Sequence, residues 1–369
     1  MRFLRPVLAR CVVLAAALLL PNVALAQAPV SSPSAPPSSG GEGNWEPLGQ
    51  LPVDGAGAGR RGYTLPAEDT GVTPPGVNRF WLHAVMSNNL YGEETKNFRV
   101  SVRYETQTAA LGFSRGFKLG KVPRVDIGGQ IQVNRRGTGV LNGFIAGFED
   151  FWVGLTGNEG SKSALREPGA ALPPLGTEIA PSGRPVYRDD VGSGFGDVYL
   201  VGRLALADGA PSSRAPRAAA RMALNIAGPA RFSSGNFLGY GLSVDTKLVS
   251  RLAAQGDLRI TFPLGRTSAS GLPLKPVLVG FSIGPELGLT RNASISVRYS
   301  GDGTPYEPTG TKAFDTGYGD VSLGFGYRAR LGTRAVVTQV YARENLVLPL
   351  LVRPNIDPDL SLGVKISIR

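Results

Sequence analysis

The chain has little of the side-chain chemistry that most enzymes and metal proteins use. Its 369 residues include one cysteine and one histidine. The cysteine, Cys11, lies in an N-terminal segment that we expect to be removed, so the mature chain offers no thiol for a disulfide, a metal ligand or a nucleophile. One histidine, His83, does not support a histidine-based metal site. We therefore expect no cofactor and no bound metal.

Long hydrophobic runs are also missing. No apolar stretch reaches the 18 residues or more that a membrane-spanning helix needs. Residues 11–20 are apolar but number only about ten, which predicts the core of a secretory signal peptide over residues 1–26, with an uncleaved anchor as the alternative. Arg2, Arg5 and Arg10 form the basic leader of this signal peptide. Ala24-Leu25-Ala26 forms the A-x-A cleavage pattern before Gln27.

The charge balance is basic, with a formal net charge of +11. Loss of the three signal-peptide arginines lowers it to +8. No Lys/Arg-rich run or recognition motif is present, so an exported chain of this kind is not expected to bind nucleic acid. An anionic lipopolysaccharide surface or an anion-preferring lumen fits the charge better.

Residues 27–77 are rich in Pro, Ser and Gly, and such a composition buries too little apolar surface to offset the entropy of ordering. This predicts a disordered periplasmic leader. A plain spacer is the simpler interpretation of its role, and binding to peptidoglycan or to a partner is the alternative.

From residue 78 onward, apolar and polar residues alternate with the period of a β-strand. The last strand, DLSLGVKISIR at 359–369, alternates without a break. Two near-copies, GFGDVYLVGRLAL at 194–206 and GYGDVSLGFGYRARL at 317–331, each begin with Gly-aromatic-Gly-Asp. One phase change near residues 106–110 predicts a β-bulge. The pattern fits a soluble sheet with one wet face, or a barrel that has lipid outside and water inside.

The connections decide between these two architectures, because a chain that crosses lipid without apolar helices must close into a β-barrel. About twelve strands are predicted, and long outer loops with short inner turns are typical of outer-membrane barrels. We therefore predict a transmembrane antiparallel up-and-down β-barrel of about 12 strands. The expected outer loops are 91–97, 135–192, 229–237, 265–275, 301–317 and 344–357, and the expected inner turns are 119–123, 207–216, 249–251, 290–292 and 331–334.

One segment in the longest outer loop breaks the strand period. GTGVLNGFIAGFEDFWVGLTG at 137–157 places its apolar residues at helical spacing, which predicts an amphipathic helix. It could act as a plug inside the barrel, lie on the membrane interface or cover the barrel mouth, and packing at the rim is favoured over a deep plug. The apolar face of this predicted helix comprises Leu141, Phe144, Ile145, Phe148, Phe151, Trp152 and Leu155.

The same segment carries a resemblance. TGVLNGFIAGFEDFWVGLTGNEG is similar to part of a proteobacterial domain-of-unknown-function family of exported proteins, and the match extends from about residue 78 to the end. The sequence departs from the family pattern at Asn142, where the family tends to have Asp, and at Glu149, where it tends to have His. The resemblance implies an outer-membrane β-barrel and names no substrate.

Catalytic patterns are weak. GFSIG at 280–284 matches a nucleophile-elbow pattern, but Ser282 falls inside a predicted strand and Pro285 follows where a helix would begin. His83 shares a strand face with Ser87, although two strand positions are about 7 Å apart. A hydrogen-bonded lumen histidine is therefore favoured over a barrel hydrolase, and no enzymatic activity is predicted.

Charged residues of both signs occupy the polar strand faces. They predict either a salt-bridge lattice that fills a narrow lumen or a solute path. The chain is accordingly expected to be an outer-membrane channel or transporter for an unidentified small solute, with a closed structural or surface-interaction barrel as the alternative. Its partners would be outer-membrane lipid, lipopolysaccharide and the barrel-assembly machinery. The predicted lumen-lining residues are His83, Arg103, Asp126, Asp197, Arg203, Arg221, Asp245, Lys247, Asp257, Arg259, Glu286, Arg298, Asp320, Arg328 and Lys365.

Overall fold

The structure, a computed structural model, describes most of the chain beyond residue 77 and parts of the segment before it. The described residues are 45–51, 56–57, 60–61, 70–95, 98–120, 122–137, 141, 147, 150, 154, 176–181, 186–188, 191–209, 214–229, 232–233, 235–268, 272–308, 315, 317–344 and 360–368. The predicted signal peptide lies outside them and stays a prediction.

Strands make up nearly all of the described regular structure. In chain order they are β1 (Ala56–Gly57), β2 (Arg60–Arg61), β3 (Asn78–Thr95), β4 (Phe98–Leu119), β5 (Val122–Gly137), β6 (Gly176–Pro181), β7 (Val186–Arg188), β8 (Gly192–Asp208), β9 (Arg217–Ile226), β10 (Phe237–Val249), β11 (Leu252–Pro263), β12 (Leu278–Gly288), β13 (Ala293–Asp302), β14 (Tyr318–Leu331), β15 (Arg334–Glu344) and β16 (Ser361–Ile368). β1 and β2 form a two-stranded sheet of their own.

Twelve strands close into a barrel, because β3 pairs with β4 on one side and with β16 on the other. Along the closing seam, Ser361 lies opposite Ser87 and Ile368 lies opposite Phe80. The remaining neighbours pair antiparallel in chain order, with β8 following β5. Closure gives every barrel strand two partners, which satisfies the backbone polar groups that hydrocarbon cannot. The predicted up-and-down barrel is confirmed.

A short hairpin extends one part of the wall. β6 pairs with the outer end of β4, where Phe98 lies opposite Pro181, and β7 pairs with β6. The sequence predicts no strand between β5 and β8, because the segment lacks a long period-2 pattern.

The connections sort by length as expected. Five short turns lie at one end of the barrel, which we call the inner end, and they span residues 120–121, 209–216, 250–251, 289–292 and 332–333. At the outer end the first connection is only 96–97, because β3 and β4 run further than expected, and the others are longer. Gly120 and Gly332 adopt φ values of +55° and +59°, a left-handed conformation that suits glycine in a tight turn.

The two faces of the wall differ in chemistry, and β11 shows this most clearly. Leu258, Ile260 and Phe262 are exposed on the outward face, whereas Asp257 and Arg259 are buried on the inward face. Similar alternation in the neighbouring strands produces an outward apolar belt around a polar interior. This is the arrangement that a barrel has in a lipid bilayer.

The predicted bulge near residues 106–110 is wrong. β4 pairs with β3 in an unbroken register from Phe98 to Arg115, and its register shift against β5 lies between Phe117 and Leu119. The phase of hydrophobicity changes because Leu111 faces outward in the belt, while Tyr104 is buried beneath the Arg136 guanidinium at 5.0 Å.

The predicted loop helix is not confirmed. Residues 141, 147, 150 and 154 are helical, and the residues between them lie outside the described part of the chain. Leu141 is buried, and its backbone N–H donates a 2.7 Å hydrogen bond to Glu105 at the outer end of β4. The remaining apolar-face residues, Phe144, Ile145, Phe148, Phe151, Trp152 and Leu155, also lie outside the described residues.

Candidate functional site in the barrel lumen

The barrel lumen brings most of the predicted charged residues together. Strand register places an arginine on one strand against an acid on another, and the side chains lie nearly out of contact with solvent. Asp126 on β5 and Arg203 on β8 are directly opposite each other. Two parallel hydrogen bonds join them, from Nε to Oδ1 at 2.8 Å and from Nη2 to Oδ2 at 2.7 Å. This fork geometry is the strongest form of an arginine–carboxylate pair.

A second pair lies further round the wall. Arg217 on β9 is opposite Asp245 on β10. Its Nε and Nη2 donate to the two carboxylate oxygens at 2.7 and 2.8 Å. The Thr70 hydroxyl also donates to Asp245, so a residue before the barrel contributes to this site.

The longest network spans five neighbouring strands, from β9 to β13. Asp257 on β11 accepts hydrogen bonds from Arg221 at 3.1 Å and from the Ser243 hydroxyl at 3.1 Å. Arg259 lies 3.3 Å from Asp257 and donates to Asp302 on β13 at 3.2 Å. Buried charges are tolerated only when they are paired in this way.

Glycines make room for this network. Gly241 lies between Arg221 and Arg259 in the register, and a Cβ at Gly241 would meet Arg221 Nε at 2.3 Å. Gly280 lies between Arg259 and Asp302, and a Cβ there would meet Asp302 Oδ1 at 1.9 Å. The long side chains therefore lie across the backbone of the intervening strands.

Residues 45–51, which we call the N-terminal plug, lie inside the lumen. Trp45, Leu48 and Leu51 are buried there. Trp45 and Leu51 pack against wall positions occupied by glycine. A Cβ added at Gly288 would lie 2.5 Å from the Trp45 ring, and a Cβ added at Gly324 would lie 2.6 Å from the Leu51 side chain. Apolar plug side chains thus fill gaps left by missing wall side chains.

Polar contacts hold the backbone of the N-terminal plug. The Glu286 carboxylate accepts from the Leu48 N–H at 2.7 Å and from the Gly49 N–H at 3.4 Å. Lys247 Nζ donates to the Trp45 carbonyl at 2.9 Å. Further contacts to the plug come from Arg298 to the Leu51 carbonyl, Gln339 to the Gly49 carbonyl, and Arg328 to the Glu46 carboxylate and the Pro47 carbonyl.

A second stretch before β3 also enters the lumen. The Thr73 N–H donates to Asp126 at 2.6 Å, and Val72 packs against Ala205 and Ala219. These placements correct the expectation of a disordered leader for residues 45–51 and 70–77. The signal that could have revealed the plug is the spacing of Trp45, Leu48 and Leu51, three large apolar residues in an otherwise small and polar segment.

The histidine lies in the wall near the closing seam. His83 Nε2 and the Tyr341 hydroxyl are 2.6 Å apart. Ser87 Oγ instead contacts Ser361 Oγ at 2.8 Å, so the His83–Ser87 pair that a hydrolase would need is not formed. Lys365 lies opposite His83 in the register.

The aspartates of the two Gly-aromatic-Gly-Asp copies are both buried. Asp197 accepts from Asn225 Nδ2 and from the Gly228 N–H, each at 3.0 Å. Asp320 lies 4.0 Å from Arg343. Arg103 belongs to β4 opposite Leu90, and its side chain is outside the described part of the structure.

Three buried serines lie close together in a strip on the inward face, and only Ser282 of the three belongs to a pattern noted in the sequence. Ser282, Ser300 and Ser322 lie on β12, β13 and β14, with Ser282 opposite Ser300. Their hydroxyls are buried and have no hydrogen-bond partner among the described residues. A buried unsatisfied hydroxyl costs about 1–3 kcal/mol, so this strip favours a water molecule or a polar solute group beside it.

Other site types find no support in the described residues. No group of three or more His, Cys, Asp and Glu side chains in the described ranges is placed to hold a metal ion. No described helix is long and apolar enough to cross a membrane.

Comparisons with known proteins rest on backbone similarity. No family model and no curated protein matches the sequence. The COG4313 outer membrane channel from Pseudomonas putida F1 aligns with a TM-score of 0.50 and 9% identity over 82% of this chain and 98% of that chain. The fold is that of an outer-membrane β-barrel. The resemblance to a domain-of-unknown-function family has no family model behind it and stays an expectation.

Two further barrels align less closely. The transport unit of the autotransporter AIDA-I from Escherichia coli gives a TM-score of 0.40 with 7% identity over 80% of this chain and 90% of that chain. The NanC porin gives a TM-score of 0.39 with 7% identity over 78% of this chain and 99% of that chain.

Proposed function

We propose that the chain is an outer-membrane channel for small polar solutes, and that the N-terminal plug closes its lumen at rest. The observation that carries this proposal is the strip of buried hydroxyls at Ser282, Ser300 and Ser322, which lack protein partners among the described residues. Once the N-terminal plug moves away, these hydroxyls would offer donors and acceptors to a polar solute.

The wall and the plug differ in how they are held, and this supports opening by movement of the plug. Adjacent wall strands are joined by continuous backbone pairing. The plug is held by side-chain contacts to Glu286, Lys247 and Arg298, and such contacts can be exchanged for water. Loss of the plug would therefore leave the closed ring of strands intact.

Planar-bilayer recording and liposome swelling with small neutral sugars test the proposal. We expect rare openings in the full mature chain, and swelling that falls severalfold in the S282A/S300A/S322A variant. A matched control is the outward-facing variant L323A, which should behave as the parent protein. A folded barrel that shows neither conductance nor solute uptake, even after the plug residues 45–51 are deleted, would rule out the channel.

The alternative is a closed structural or surface-interaction barrel that acts through its outer loops. The near-complete burial of lumen side chains such as Asn225, Arg259 and Glu286 favours it. Deletion of residues 137–157 distinguishes the two, because loss of partner binding without a change in permeability supports the alternative. A His83→Ala change that abolished an esterase activity would instead support a barrel hydrolase, for which we propose no role.

The outward apolar belt supports a location in a membrane. We propose that the mature chain, cleaved near Ala26–Gln27, lies in the outer membrane of a Gram-negative bacterium. Lipopolysaccharide would surround its outer end, and the barrel-assembly machinery would insert it. Membrane fractionation on a density gradient tests this, and recovery of the protein in a detergent-free soluble fraction would contradict it.

A further inference from the structure

The turns at the inner end of the barrel are uniformly basic. Each of the five inner turns carries at least one exposed Lys or Arg at or beside it. We call these residues the inner-turn basic ring, and they are Lys118, Arg214, Arg251, Arg291, Arg330 and Arg334.

Acidic residues are absent from the same turns. The segments 118–124, 209–217, 249–252, 289–293 and 330–334 contain no Asp or Glu. The nearest acid, Asp208, pairs with Arg124 at 2.8 Å, and Arg124 is for this reason not counted in the ring.

Several outer connections carry charges of both signs. The connection between β13 and β14, for example, contains Glu307, Lys312 and Asp315, and the one between β15 and β16 contains Arg353, Asp357 and Asp359. The outer connections 227–236 and 264–277 also carry only basic residues, so what distinguishes the inner end is that all five of its turns lack acidic residues.

The ring lies at the edge of the outward apolar belt. Leu119, Val249 and Leu331 are exposed apolar residues at the inner ends of their strands, and Leu289 is an exposed apolar residue directly after β12. Each lies within three positions of a ring residue. One strand position spans about 3.3 Å, so the ring lies just beyond the hydrocarbon. Long Lys and Arg side chains at this depth reach the layer of lipid headgroups.

We infer that the inner-turn basic ring binds the phosphate groups of anionic phospholipids in the leaflet around the inner end of the barrel. The ring is positively charged, exposed and next to the apolar belt. A dissolved anion could bind a basic site anywhere on the surface, whereas lipid phosphates lie only beside the belt, so the position of the ring favours lipid headgroups. A basic residue near an anionic membrane surface contributes about a fivefold preference for that surface. The inference needs only a barrel embedded in lipid, and it holds whether or not the lumen conducts.

Spin-labelled lipids test this inference on the full mature chain in phosphatidylcholine membranes. The measured quantity is the association constant of labelled phosphatidylglycerol relative to labelled phosphatidylcholine. We expect a preference for phosphatidylglycerol at low salt that falls in K118Q/R251Q/R291Q, because each lipid site beside a neutralised residue loses about fivefold in affinity. It should also fall in 1 M NaCl, where the screening length is about 3 Å.

The matched control removes the same charge from the outer end. The variant R135Q/R266Q/K275Q neutralises three basic residues at the outer end and should keep the preference. Heat-modifiable gel migration checks that both variants fold. Equal loss in both variants, or no preference in the parent protein, would overturn the inference. Charge-dependent binding to isolated peptidoglycan without a lipid preference would overturn it as well, in favour of a cell-wall contact.

Discussion

The Glu286 carboxylate accepts a 2.7 Å hydrogen bond from the backbone N–H of Leu48, a residue 238 positions earlier in the chain. The same carboxylate also accepts from the Ser294 hydroxyl at 2.7 Å and from Gln255 Nε2 at 2.5 Å. Glu286 thus joins the N-terminal plug to the wall at a point where a charged acceptor meets several donors.

Glu286→Gln should loosen the N-terminal plug without changing the size of the side chain. The glutamine lacks the negative charge, and its amide group adds a donor among groups that already donate. A hydrogen bond to a charged group contributes about 1.5–3 kcal/mol, so the plug is held less tightly in the variant. Single-channel recording should show an open probability about tenfold or more above that of the parent protein. An unchanged open probability would mean that Glu286 does not hold the plug.

Asp126→Ala should destabilise the barrel strongly. Arg203 would be left buried without its two carboxylate contacts, and removal of one partner of a buried pair costs about 3–5 kcal/mol. Urea unfolding in lipid vesicles, followed by tryptophan fluorescence, measures the loss.

The matched control for that experiment is Arg124→Ala. Arg124 pairs with Asp208 at 2.8 Å, but its side chain is 39% exposed. An exposed pair contributes about 0–1 kcal/mol. Similar losses in the two variants would contradict the assignment of the Asp126–Arg203 pair to a buried lumen.

Gly241→Ala should disturb the lumen network through steric contact alone. The added Cβ would lie 2.3 Å from Arg221 Nε, so the guanidinium must move away from Asp257. Overpacking of this kind costs about 1–3 kcal/mol. Gly202→Ala is the control, because a Cβ at Gly202 meets nothing within 4 Å. The same unfolding measurement should separate the two variants, and equal stability would argue against the close approach of Arg221.

Leu258→Arg should destabilise the barrel in lipid, because Leu258 lies in the middle of β11 on the outward face. An arginine near the bilayer midplane costs about 2–4 kcal/mol, and the cost falls towards the interface. Leu331→Arg, at the inner end of β14, should therefore cost about 1 kcal/mol or less. A reversed order of the two costs in vesicle unfolding would show that the apolar belt is placed wrongly.

Period-2 alternation predicted the barrel because each strand has lipid on one side and a polar interior on the other. The pattern was reliable where both surroundings are present, as at Leu258 and Arg259. It misled at residues 106–110, because β4 extends beyond the apolar belt, where Tyr104 is buried inward and the outward positions are polar. A change in surroundings there was mistaken for a change in register.

The pairing inside the lumen could not be predicted from the sequence. Asp126 and Arg203 are 77 positions apart, and their contact depends on the register across a long outer segment. The plug was missed for a different reason. Trp45, Leu48 and Leu51 are stabilised by burial in spaces that wall glycines such as Gly288 and Gly324 leave, and the pairing of these distant residues is not visible in a segment whose composition resembles a flexible linker. The role of the charged lumen residues in a solute path stays a prediction.

A cysteine pair can hold the N-terminal plug in place, and the mature chain has no other cysteine if the signal peptide is removed. Leu51 Cγ lies 3.1 Å from the Cβ position of Gly324, which suits a disulfide in an L51C/G324C variant. The pair should oxidise in the folded protein, whereas L51C/L323C should not, because Leu323 is exposed on the outward face. Failure of the first pair to form would place residue 51 elsewhere.

Single-channel recording of the L51C/G324C protein before and after addition of a reductant tests the central claim most directly. The claim is that residues 45–51 close a conducting lumen from inside. We predict that the oxidised protein stays closed and that reduction restores openings at the frequency of the parent protein. If the oxidised and the reduced protein have the same conductance, whether both conduct or neither does, the result would contradict the claim.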